Sequence, residues 1–377
     1  MQITRFYQDL EKFIKPNKVL VIYGSRQVGK TTLLTSFLNQ TNLKYKLDSG
    51  DNIKTRQILG SEDFTKIKDY AADYELLAID EAQRIPRVGQ ALKIIVDQIP
   101  QIRVIATGSS SFELSGQIGE PLTGRKKTIT LFPIAQTELR HIYNLHELKE
   151  NLPDFLIYGG YPAVVIEPNR KEKINLLDEI MHSYLLKDIL ELEKVKGSDT
   201  LLDLLRLLSF QIGSEVSLSE IGRQLGLDVK TVARYLDLLE KSFIIFKLRG
   251  YSRNLRKEIT KKHKYYFFDN GIRNTVISNF NDLPMRDDVG RLWENFLVIE
   301  RIKTEKYLEI PANNYFWRTW DKKEIDWIEE RQGKLFGFEF KYAQGETKIA
   351  KDFLTAYPEA EIKVINQDNY LNWLGVR

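Results

Sequence analysis

The residues with the clearest chemistry form a glycine-rich segment near the N-terminus. Gly24-Ser25-Arg26-Gln27-Val28-Gly29-Lys30-Thr31 matches the pattern G-x-x-x-x-G-K-[ST]; it follows an apolar run, Lys18 to Tyr23, and precedes an amphipathic stretch that starts at Thr32. The glycines let backbone N–H groups turn toward a phosphate, and the start of a helix adds about half a positive charge there. We expect these residues, Thr32 included, to hold a nucleotide, with Lys30 reaching its β- and γ-phosphates and the Thr31 hydroxyl coordinating Mg²⁺.

A pair of carboxylates follows a second apolar run, fifty positions after Lys30. The run Glu75 to Ile79 ends in Asp80-Glu81. The carboxyl ends of buried parallel strands open into the crevice where such sheets bind ligands. We therefore expect Asp80 to support the Mg²⁺ ion from its second shell, and Glu81 to align and deprotonate the attacking water.

Two further elements of this region carry groups that suit phosphate chemistry. A third apolar run, Ile102 to Ala106, ends in the hydroxyl-rich Thr107-Gly108-Ser109-Ser110-Ser111. One of these hydroxyls, which we assign to Ser109, either senses the γ-phosphate or caps a helix. Arg125 is either a surface arginine or a guanidinium that stabilises transition-state charge, in its own subunit or in a neighbouring one of a homo-oligomer.

A helix-turn-helix pattern precedes a strongly basic segment. Ser217 and Asp228 occupy the cap positions of two short helices, and the apolar Val232, Leu236 and Leu239 fall on one face of the second helix. Residues 217–275 include 13 basic and 6 acidic side chains, many of them in a wing between the predicted strands Phe243–Leu248 and Tyr265–Phe268; its basic residues include Arg249 and Lys264. We expect contact with nucleic acid, DNA in the first place, through Lys230, Arg234, Arg253, Arg256, Lys257, Lys261 and Lys262. The alternative is a winged helix that contacts protein.

The C-terminal region contains two alternating segments on either side of Gln332-Gly333. A two-residue turn there would pair positions whose numbers add up to 665, so that Asp326 lies opposite Glu339 and Glu324 opposite Lys341. Opposed carboxylates repel, so a cation is expected between them. We predict a second Mg²⁺ or Mn²⁺ bound by Glu294, Asp326 and Glu339, with Lys341 polarising the attacking water. The alternative is a structural ion cluster in which Lys341 bridges the carboxylates of an inactive domain.

Composition limits the remaining chemistry. The 377 residues include no cysteine, which excludes disulfides, thiol nucleophiles and cysteine-ligated metals and favours a reducing compartment. They include four histidines. The 56 basic and 52 acidic residues leave a net charge of only +4. No stretch approaches the ~18 apolar residues of a membrane span. We expect a soluble, cytoplasmic protein with no membrane partner, in which any metal has oxygen ligands.

Several of these motifs, taken together, resemble a known family. The loop Gly24–Thr31 is followed by Leu76-Leu77-Ala78-Ile79-Asp80-Glu81-Ala82-Gln83-Arg84-Ile85-Pro86, Ala106–Ser111, Leu122-Thr123-Gly124-Arg125 and Leu131-Phe132-Pro133. This order resembles the AAA-superfamily ATPases of bacteria and archaea that carry a C-terminal domain of uncertain function. Tyr158-Gly159-Gly160-Tyr161-Pro162 and Tyr266-Phe267-Phe268-Asp269-Asn270-Gly271 extend the likeness over most of the chain. The resemblance implies ATP as the nucleotide, with Mg²⁺, and an ATP hydrolase, and it supports the roles given to Glu81 and Arg125.

The expected fold class is α/β, with four parts in sequence. They are a P-loop ATPase core with a parallel sheet (1–135), a helical lid or connector (136–205), a winged helix (206–280) and, as the resemblance implies, a restriction-endonuclease-like α/β domain (281–377). The leading hypothesis is an ATP-hydrolysing, DNA-associated protein with a nuclease tail that is either active or inactive. The alternative is an ATP-gated regulator or scaffold with slow turnover that binds proteins through its winged helix and an inactive tail.

Overall fold

The computed structural model describes residues 3–109, 121–182, 198–252, 263–319, 323–343 and 351–376. The chain divides into two units. The N-terminal unit comprises Thr4–Phe132 and Lys241–Phe243, and the C-terminal unit comprises Met1–Ile3, Pro133–Glu240 and Ile244–Arg377. Within the ranges given above, no helix combines the length and the apolar composition that a membrane span needs.

A five-stranded parallel sheet is the centre of the N-terminal unit. Its order is β2-β3-β4-β1-β5, and its strands are β1 (Lys18–Tyr23), β2 (Tyr45–Ser49), β3 (Leu76–Asp80), β4 (Arg103–Gly108) and β5 (Lys126–Thr130). The side chains of β1, β3 and β4 are almost all buried, as expected for strands covered by helices on both faces. This confirms the three strands predicted from the apolar runs.

Among the described residues of this unit, four helices flank the sheet, and the strand order places three loops at one edge. The helices are α1 (Lys30–Leu38), α2 (Ile53–Leu59), α3 (Phe64–Ala71) and α4 (Val88–Gln98). Because β4 lies between β1 and β3, the segments that follow these three strands are neighbours at the carboxyl edge of the sheet. Ligands of parallel α/β sheets bind at this edge.

The C-terminal unit begins with a helical region. Its helices are α5 (Gln136–Leu139), α6 (Leu145–Glu150), α7 (Leu152–Tyr158), α8 (Pro162–Ile166), α9 (Arg170–Glu179) and α10 (Ser198–Phe210). In the sequence, apolar residues recur at helical spacing between Lys171 and Val195, and Leu177, Ile180 and Met181 among them are buried. Residues 183–195 of this stretch lie outside the described residues.

A seven-stranded mixed sheet completes the C-terminal unit. Its order is β12-β11-β10-β9-β7-β8-β6, with β6 (Glu215–Val216), β7 (Ile245–Gly250), β8 (His263–Phe267), β9 (Asn313–Arg318), β10 (Glu324–Arg331), β11 (Lys334–Phe340) and β12 (Glu361–Ile365). The helices are α11 (Leu218–Leu225), α12 (Val229–Lys241), α13 (Asn270–Val276), α14 (Val289–Tyr307), α15 (Lys351–Ala356) and α16 (Tyr370–Trp373). Since β7 pairs with both β8 and β9, the predicted wing strands and the C-terminal strands share one sheet. The domain limits predicted from the sequence stay predictions.

The pairing of β10 with β11 has the predicted register. Trp327 lies opposite Phe338 and Arg331 opposite Lys334, so paired positions add up to 665. Gln332 and Gly333 both have positive φ, 51° and 76°, as a two-residue hairpin turn of type I′ requires. The alternation of the two segments predicts that Ile325, Trp327, Phe338 and Phe340 share an apolar face, and all four are buried.

Two motifs of the sequence that carry no evident chemistry meet inside the C-terminal unit. The backbone N–H of Gly160 donates to the Asp269 carboxylate at 2.7 Å, and a Cβ at Gly159 would overlap that carboxylate. Burial raises the pKa of Asp269 to about 6, although several backbone N–H donors oppose the increase. The glycine pair therefore makes room for a buried carboxylate that joins α7 to the start of α13.

Candidate active site

The glycine-rich loop lies between β1 and α1, where the motif predicts it. Gly24 and Gly29 have φ values of +153° and +94°, and a Cβ at Gly24 would overlap the carbonyl oxygen of Leu131. Side chains rarely tolerate such backbone, so these two positions require glycine. The loop directs the N-terminus of the nine-residue α1 toward the carboxyl edge of the sheet.

Lys30 is folded into this loop. Its side chain is buried, and Nζ donates to the carbonyl oxygens of Gly24 and Ser25, both at 2.9 Å. The ammonium group is thus held by the same backbone that would surround a phosphate. Exchange of neutral carbonyl acceptors for phosphate oxygens would strengthen these hydrogen bonds, because charge-assisted bonds are about twice as strong as neutral ones.

Thr31, Asp80 and Thr107 form a hydrogen-bonded chain across three elements. Oγ1 of Thr31 donates to Oδ2 of Asp80 at 2.8 Å, and Oγ1 of Thr107 donates to Oδ1 of the same carboxylate. The Thr107 hydroxyl also accepts from the backbone N–H of Glu81 at 3.2 Å. The hydroxyl and the carboxylate are hard oxygen donors that fit Mg²⁺, which is usually held by one or two protein ligands together with phosphate oxygens.

Glu81 leaves β3 in an unusual backbone conformation. Its φ is +49°, in the left-handed region, and the Arg84 N–H donates to its carbonyl oxygen at 3.0 Å. A Cβ at Gly50 would overlap that same carbonyl oxygen, so glycine is needed there too. Strained backbone of this kind often accompanies functional residues. The position next to Asp80 suits the predicted base, and the role of Glu81 stays a prediction.

Two residues near Asp80 were missed or only partly identified from the sequence. Thr107 bridges Asp80 and Glu81, whereas the sequence drew attention to Ser109, which is buried just after β4. Ser110 and Ser111 lie outside the described residues. Asp48, at the end of β2, lines a cavity beside Thr31 and Asp80. No strand was predicted over Tyr45–Ser49, so no strand end drew attention to Asp48.

Asp48 is held as a carboxylate by its neighbours. It accepts hydrogen bonds from the Thr55 hydroxyl at 2.7 Å and the Tyr70 hydroxyl at 2.5 Å. Burial acts to raise the pKa of Asp48, but these donors outweigh it and keep the pKa below its ordinary value. The cavity is therefore bordered by negative charge on its β2 side.

Arg125 lies far from the loop within its own chain. It precedes β5, and since Val19 of β1 lies opposite Lys126, Arg125 is at the amino edge of the sheet. That edge is roughly 17 Å from the carboxyl edge, at about 3.3 Å per strand residue. Nε of Arg125 donates to Asp97 at 2.6 Å. This placement argues against action on a nucleotide of the same chain, and the role of Arg125 stays a prediction.

The helix-turn-helix segment has the predicted caps and faces. Ser217 accepts from the N–H of Glu220 at 3.4 Å, and Asp228 accepts from the N–H of Thr231 at 2.9 Å. Val232, Leu236 and Leu239 are buried, while Lys230 and Arg234 are exposed on α12. The other predicted nucleic-acid contacts lie outside the described residues: Arg253, Arg256, Lys257, Lys261 and Lys262.

Lys264 differs from the sequence expectation. The sequence placed it among the basic wing residues, but its side chain is 1% exposed and Nζ lies beside the carboxylates of Glu294, at 3.4 Å, and Glu324. Burial acts to lower the pKa of Lys264, but Glu294, Glu324 and Asp326 outweigh it and raise the pKa above its ordinary value. Strand β8 turns this residue inward, where it is the cation among these acids.

The residues predicted to bind a metal have different neighbours in the structure. Glu294 accepts a hydrogen bond from the Tyr266 hydroxyl at 2.7 Å. Burial raises the pKa of Glu294 to about 7, although the nearby Lys264 acts to lower it. Asp326 accepts from the Phe340 N–H at 2.8 Å. Glu339 lies 4.0 Å from the half-exposed Lys341, whereas Glu294 and Glu324 contact the buried Lys264. Within the described ranges, no three His, Asp or Glu side chains are grouped as metal ligands.

Three family models match successive parts of the chain. Residues 16–140 match an AAA domain, residues 149–283 a domain of unknown function (DUF8612), and residues 289–373 a second domain of unknown function (DUF4143). The AAA match confirms the AAA-type core expected from the motifs. An AAA domain with this loop implies nucleotide binding and an ATPase, with ATP and Mg²⁺ as its ligands.

Similar full-length proteins come from bacteria and archaea. The uncharacterized protein Rv2008c of Mycobacterium tuberculosis is 25% identical over 86% of this chain and 70% of its own length. An uncharacterized protein of Haemophilus influenzae is 26% identical over 88% of this chain and 84% of its length. The uncharacterized protein MJ1544 of Methanocaldococcus jannaschii is 23% identical over 96% of this chain and 82% of its own length.

Two solved structures show a weaker likeness. RuvB of Thermotoga maritima is 16% identical with a TM-score of 0.31, covering 65% of this chain and 89% of RuvB. A chain from a structure of Pif1 helicases at forked double-stranded DNA is 14% identical with a TM-score of 0.26. The match covers 48% of this chain and 52% of the helicase chain. Scores this low carry no argument about the function of this chain.

Proposed function

We propose that this chain binds ATP with Mg²⁺ at the carboxyl edge of the N-terminal sheet and hydrolyses it there. The observation that carries this proposal is the pair of hydrogen bonds that joins Thr31 and Thr107 to the Asp80 carboxylate. These bonds connect the glycine-rich motif to β3 and β4. Lys30, inside the loop, supplies positive charge to the β- and γ-phosphates, and the N-terminus of α1 adds backbone N–H donors. Glu81 is the candidate base, and Ser109 is a candidate contact to the γ-phosphate.

The residues divide the work of the reaction among them. The oxygen of the attacking water bonds to the γ-phosphorus, the bond from that phosphorus to the β–γ bridging oxygen breaks, and a water proton passes to the Glu81 carboxylate. Thr31 and Asp80 would hold Mg²⁺, which when bound neutralises charge on the phosphate oxygens. Thr107 orients the Asp80 carboxylate through its hydroxyl.

Thr31→Ala tests the metal part of this proposal. The wild-type chain is expected to bind ATP more tightly with Mg²⁺ than without it, whereas the variant should lose most of that difference, about tenfold in Kd for one coordinating hydroxyl. Calorimetric titration with ATP, with and without Mg²⁺, measures it. The matched control is Thr65→Ala, an exposed threonine on α3. An unchanged Mg²⁺ dependence in Thr31→Ala would contradict the assignment.

We propose DNA contact through α12 as a second function. The observation that favours it is the exposure of Lys230 and Arg234 on the face of α12 opposite its buried side chains, where a groove-reading helix carries such residues. The segment 253–262 lies outside the described residues; its sequence has five basic residues and one acidic residue. Protein binding by the same helix remains the competing hypothesis.

Lys230→Ala combined with Arg234→Ala is expected to weaken DNA binding and flatten its salt dependence. Each lost phosphate contact removes about 0.9 from the slope of log K against log salt, or about 1.8 for both. Fluorescence anisotropy with duplex DNA at several salt concentrations gives the slope, and the triple variant of Lys257, Lys261 and Lys262 extends the test to the wing. Lys171→Ala, exposed on α9, is the control. Unchanged affinity and slope would favour the protein-binding hypothesis.

The cluster around Lys264 supports the alternative in which the C-terminal unit is nuclease-like but inactive. A buried lysine already supplies the positive charge that the facing carboxylates require. A divalent ion in the same place would have to bring two more charges beside that ammonium, which is unfavourable at low dielectric. We therefore propose that Glu294, Glu324 and Asp326 stabilise the fold as ion-pair partners.

A further inference from the structure

Gln83 contacts the predicted base directly. It lies in a single turn, Ala82–Arg84, that follows Glu81, and its Nε2 lies 2.5 Å from Oε2 of Glu81. A carboxylate only accepts hydrogen bonds, so the NH₂ group of the amide must face it and the assignment of the two amide atoms is determined. The side chain of Glu81 is thereby fixed by a neighbour two residues away.

The backbone on both sides of this contact is also held in place. The Gly50 N–H donates to the carbonyl oxygen of Asp80 at 2.8 Å, and the Arg84 N–H donates to that of Glu81 at 3.0 Å. Arg84 also pairs with Asp51, which ties the turn to the segment after β2. With the backbone held in this way, the remaining freedom of Glu81 is in its side-chain torsions, and Gln83 restricts them.

The other atom of the Gln83 amide has a different environment. Oε1 is buried, and no donor among the described residues reaches it. Leaving a buried amide oxygen without a donor is unfavourable, so this orientation of Gln83 depends on the hydrogen bond that its Nε2 donates to Glu81. The contact with Glu81 is thus the one that fixes the amide in this place.

We infer that Gln83 is a positioning residue for ATP hydrolysis: its N–H holds the Glu81 carboxylate in the orientation from which it takes a proton from the attacking water. This inference rests on the proposed function of Glu81. A carboxylate held in one orientation gives the proton a defined acceptor while the water oxygen bonds to the γ-phosphorus. No contact of Gln83 with the nucleotide itself is required.

Gln83→Ala is expected to lower kcat for ATP hydrolysis roughly 10- to 100-fold, with KM within about twofold of the wild-type value. Gln83→Glu keeps the length of the side chain but loses the donor at neutral pH, so it should show a similar loss. Phosphate release by the full chain measures both parameters, and calorimetric titration with ATP verifies that each variant still binds. Gln90→Ala, an exposed glutamine on α4, is the matched control.

The double variant separates positioning from a structural role. Because Gln83 acts through Glu81, adding Gln83→Ala to Glu81→Gln should change the residual rate by less than about twofold. A further loss equal to that of Gln83→Ala alone would overturn the inference. Wild-type kcat in both Gln83 variants would also overturn it, while leaving the function of Glu81 intact. Absence of turnover in the wild-type chain would overturn the inference and the proposed function together.

Discussion

Replacement of Glu81 by glutamine is expected to leave ATP binding intact and to lower the hydrolysis rate by at least about 10²-fold, the usual contribution of a general base. Lys30→Ala should instead abolish measurable nucleotide binding. The two effects differ because Lys30 meets phosphates that are charged in the ground state, whereas a base acts chiefly in the transition state. In the structure, Lys30 lies inside the loop and Glu81 lies outside it, beside Asp80.

Two measurements distinguish these variants. Calorimetric titration with ATP and Mg²⁺ gives binding, and release of inorganic phosphate gives turnover. Glu11→Gln, an exposed glutamate of the N-terminal unit, is the control for the loss of one carboxylate. Wild-type turnover in Glu81→Gln would show that another group is the base, and normal ATP binding by Lys30→Ala would remove the loop from the site.

The second large effect is expected on stability. Lys264→Met should lower the free energy of unfolding of the C-terminal unit by about 3–5 kcal/mol, the usual cost of removing one partner of a buried ion pair. The reason is that Glu294 and Glu324 would lose the buried cation that they share, and Glu324 would keep only the Arg318 guanidinium at 3.6 Å. Adding Glu324→Gln should recover part of the loss, since it removes one of the two carboxylates that Lys264 pairs.

Urea denaturation followed by tryptophan fluorescence measures this change. Lys341→Met is the matched control on the same sheet, and because Lys341 is half exposed its loss should cost no more than about 1 kcal/mol. Equal stability of Lys264→Met and the wild type would contradict the cluster as a structural element. Incubation of the wild-type chain with plasmid DNA and Mn²⁺ should leave the plasmid intact, and cleavage that is lost in Asp326→Ala would restore the nuclease hypothesis.

Local sequence patterns were sufficient for several parts of this molecule. The apolar runs Lys18–Tyr23 and Leu76–Ile79 predicted buried parallel strands because both faces of such strands are covered. Gln332-Gly333 predicted the register of β10 and β11, since a two-residue turn allows few registers. These features depend on neighbours in the sequence, where propensity and periodicity act.

Contacts between distant segments could not be read in the same way. Thr107 meets Asp80 because β4 lies between β1 and β3, and strand order is not encoded in any one strand. The burial of Lys264 depends on β8 lying in one sheet with the C-terminal strands, which brings it to Glu294 and Glu324. In the sequence alone, Lys264 follows a run of basic residues and resembles them.

The position of Arg125 illustrates a signal that was available. Arg125 directly precedes the strand Lys126–Thr130, and in a parallel sheet the start of a strand lies at the edge opposite the glycine-rich loop. Strand direction therefore argued against action of Arg125 on its own nucleotide. Asp48 lies at the opposite edge of the sheet from Arg125, near the carboxyl end of β2, where it borders the cavity beside Thr31. Because no strand was predicted there, this position could not be read from the sequence.

The most direct test of ATP hydrolysis at this site is phosphate release by the wild-type full chain, measured with Mg²⁺ alone and with single- or double-stranded DNA or RNA added. We expect saturable, Mg²⁺-dependent release that is lost in Glu81→Gln, and stimulation by DNA if α12 binds it. ATP binding without phosphate release under every condition would contradict the proposed hydrolase and favour a nucleotide-gated regulator.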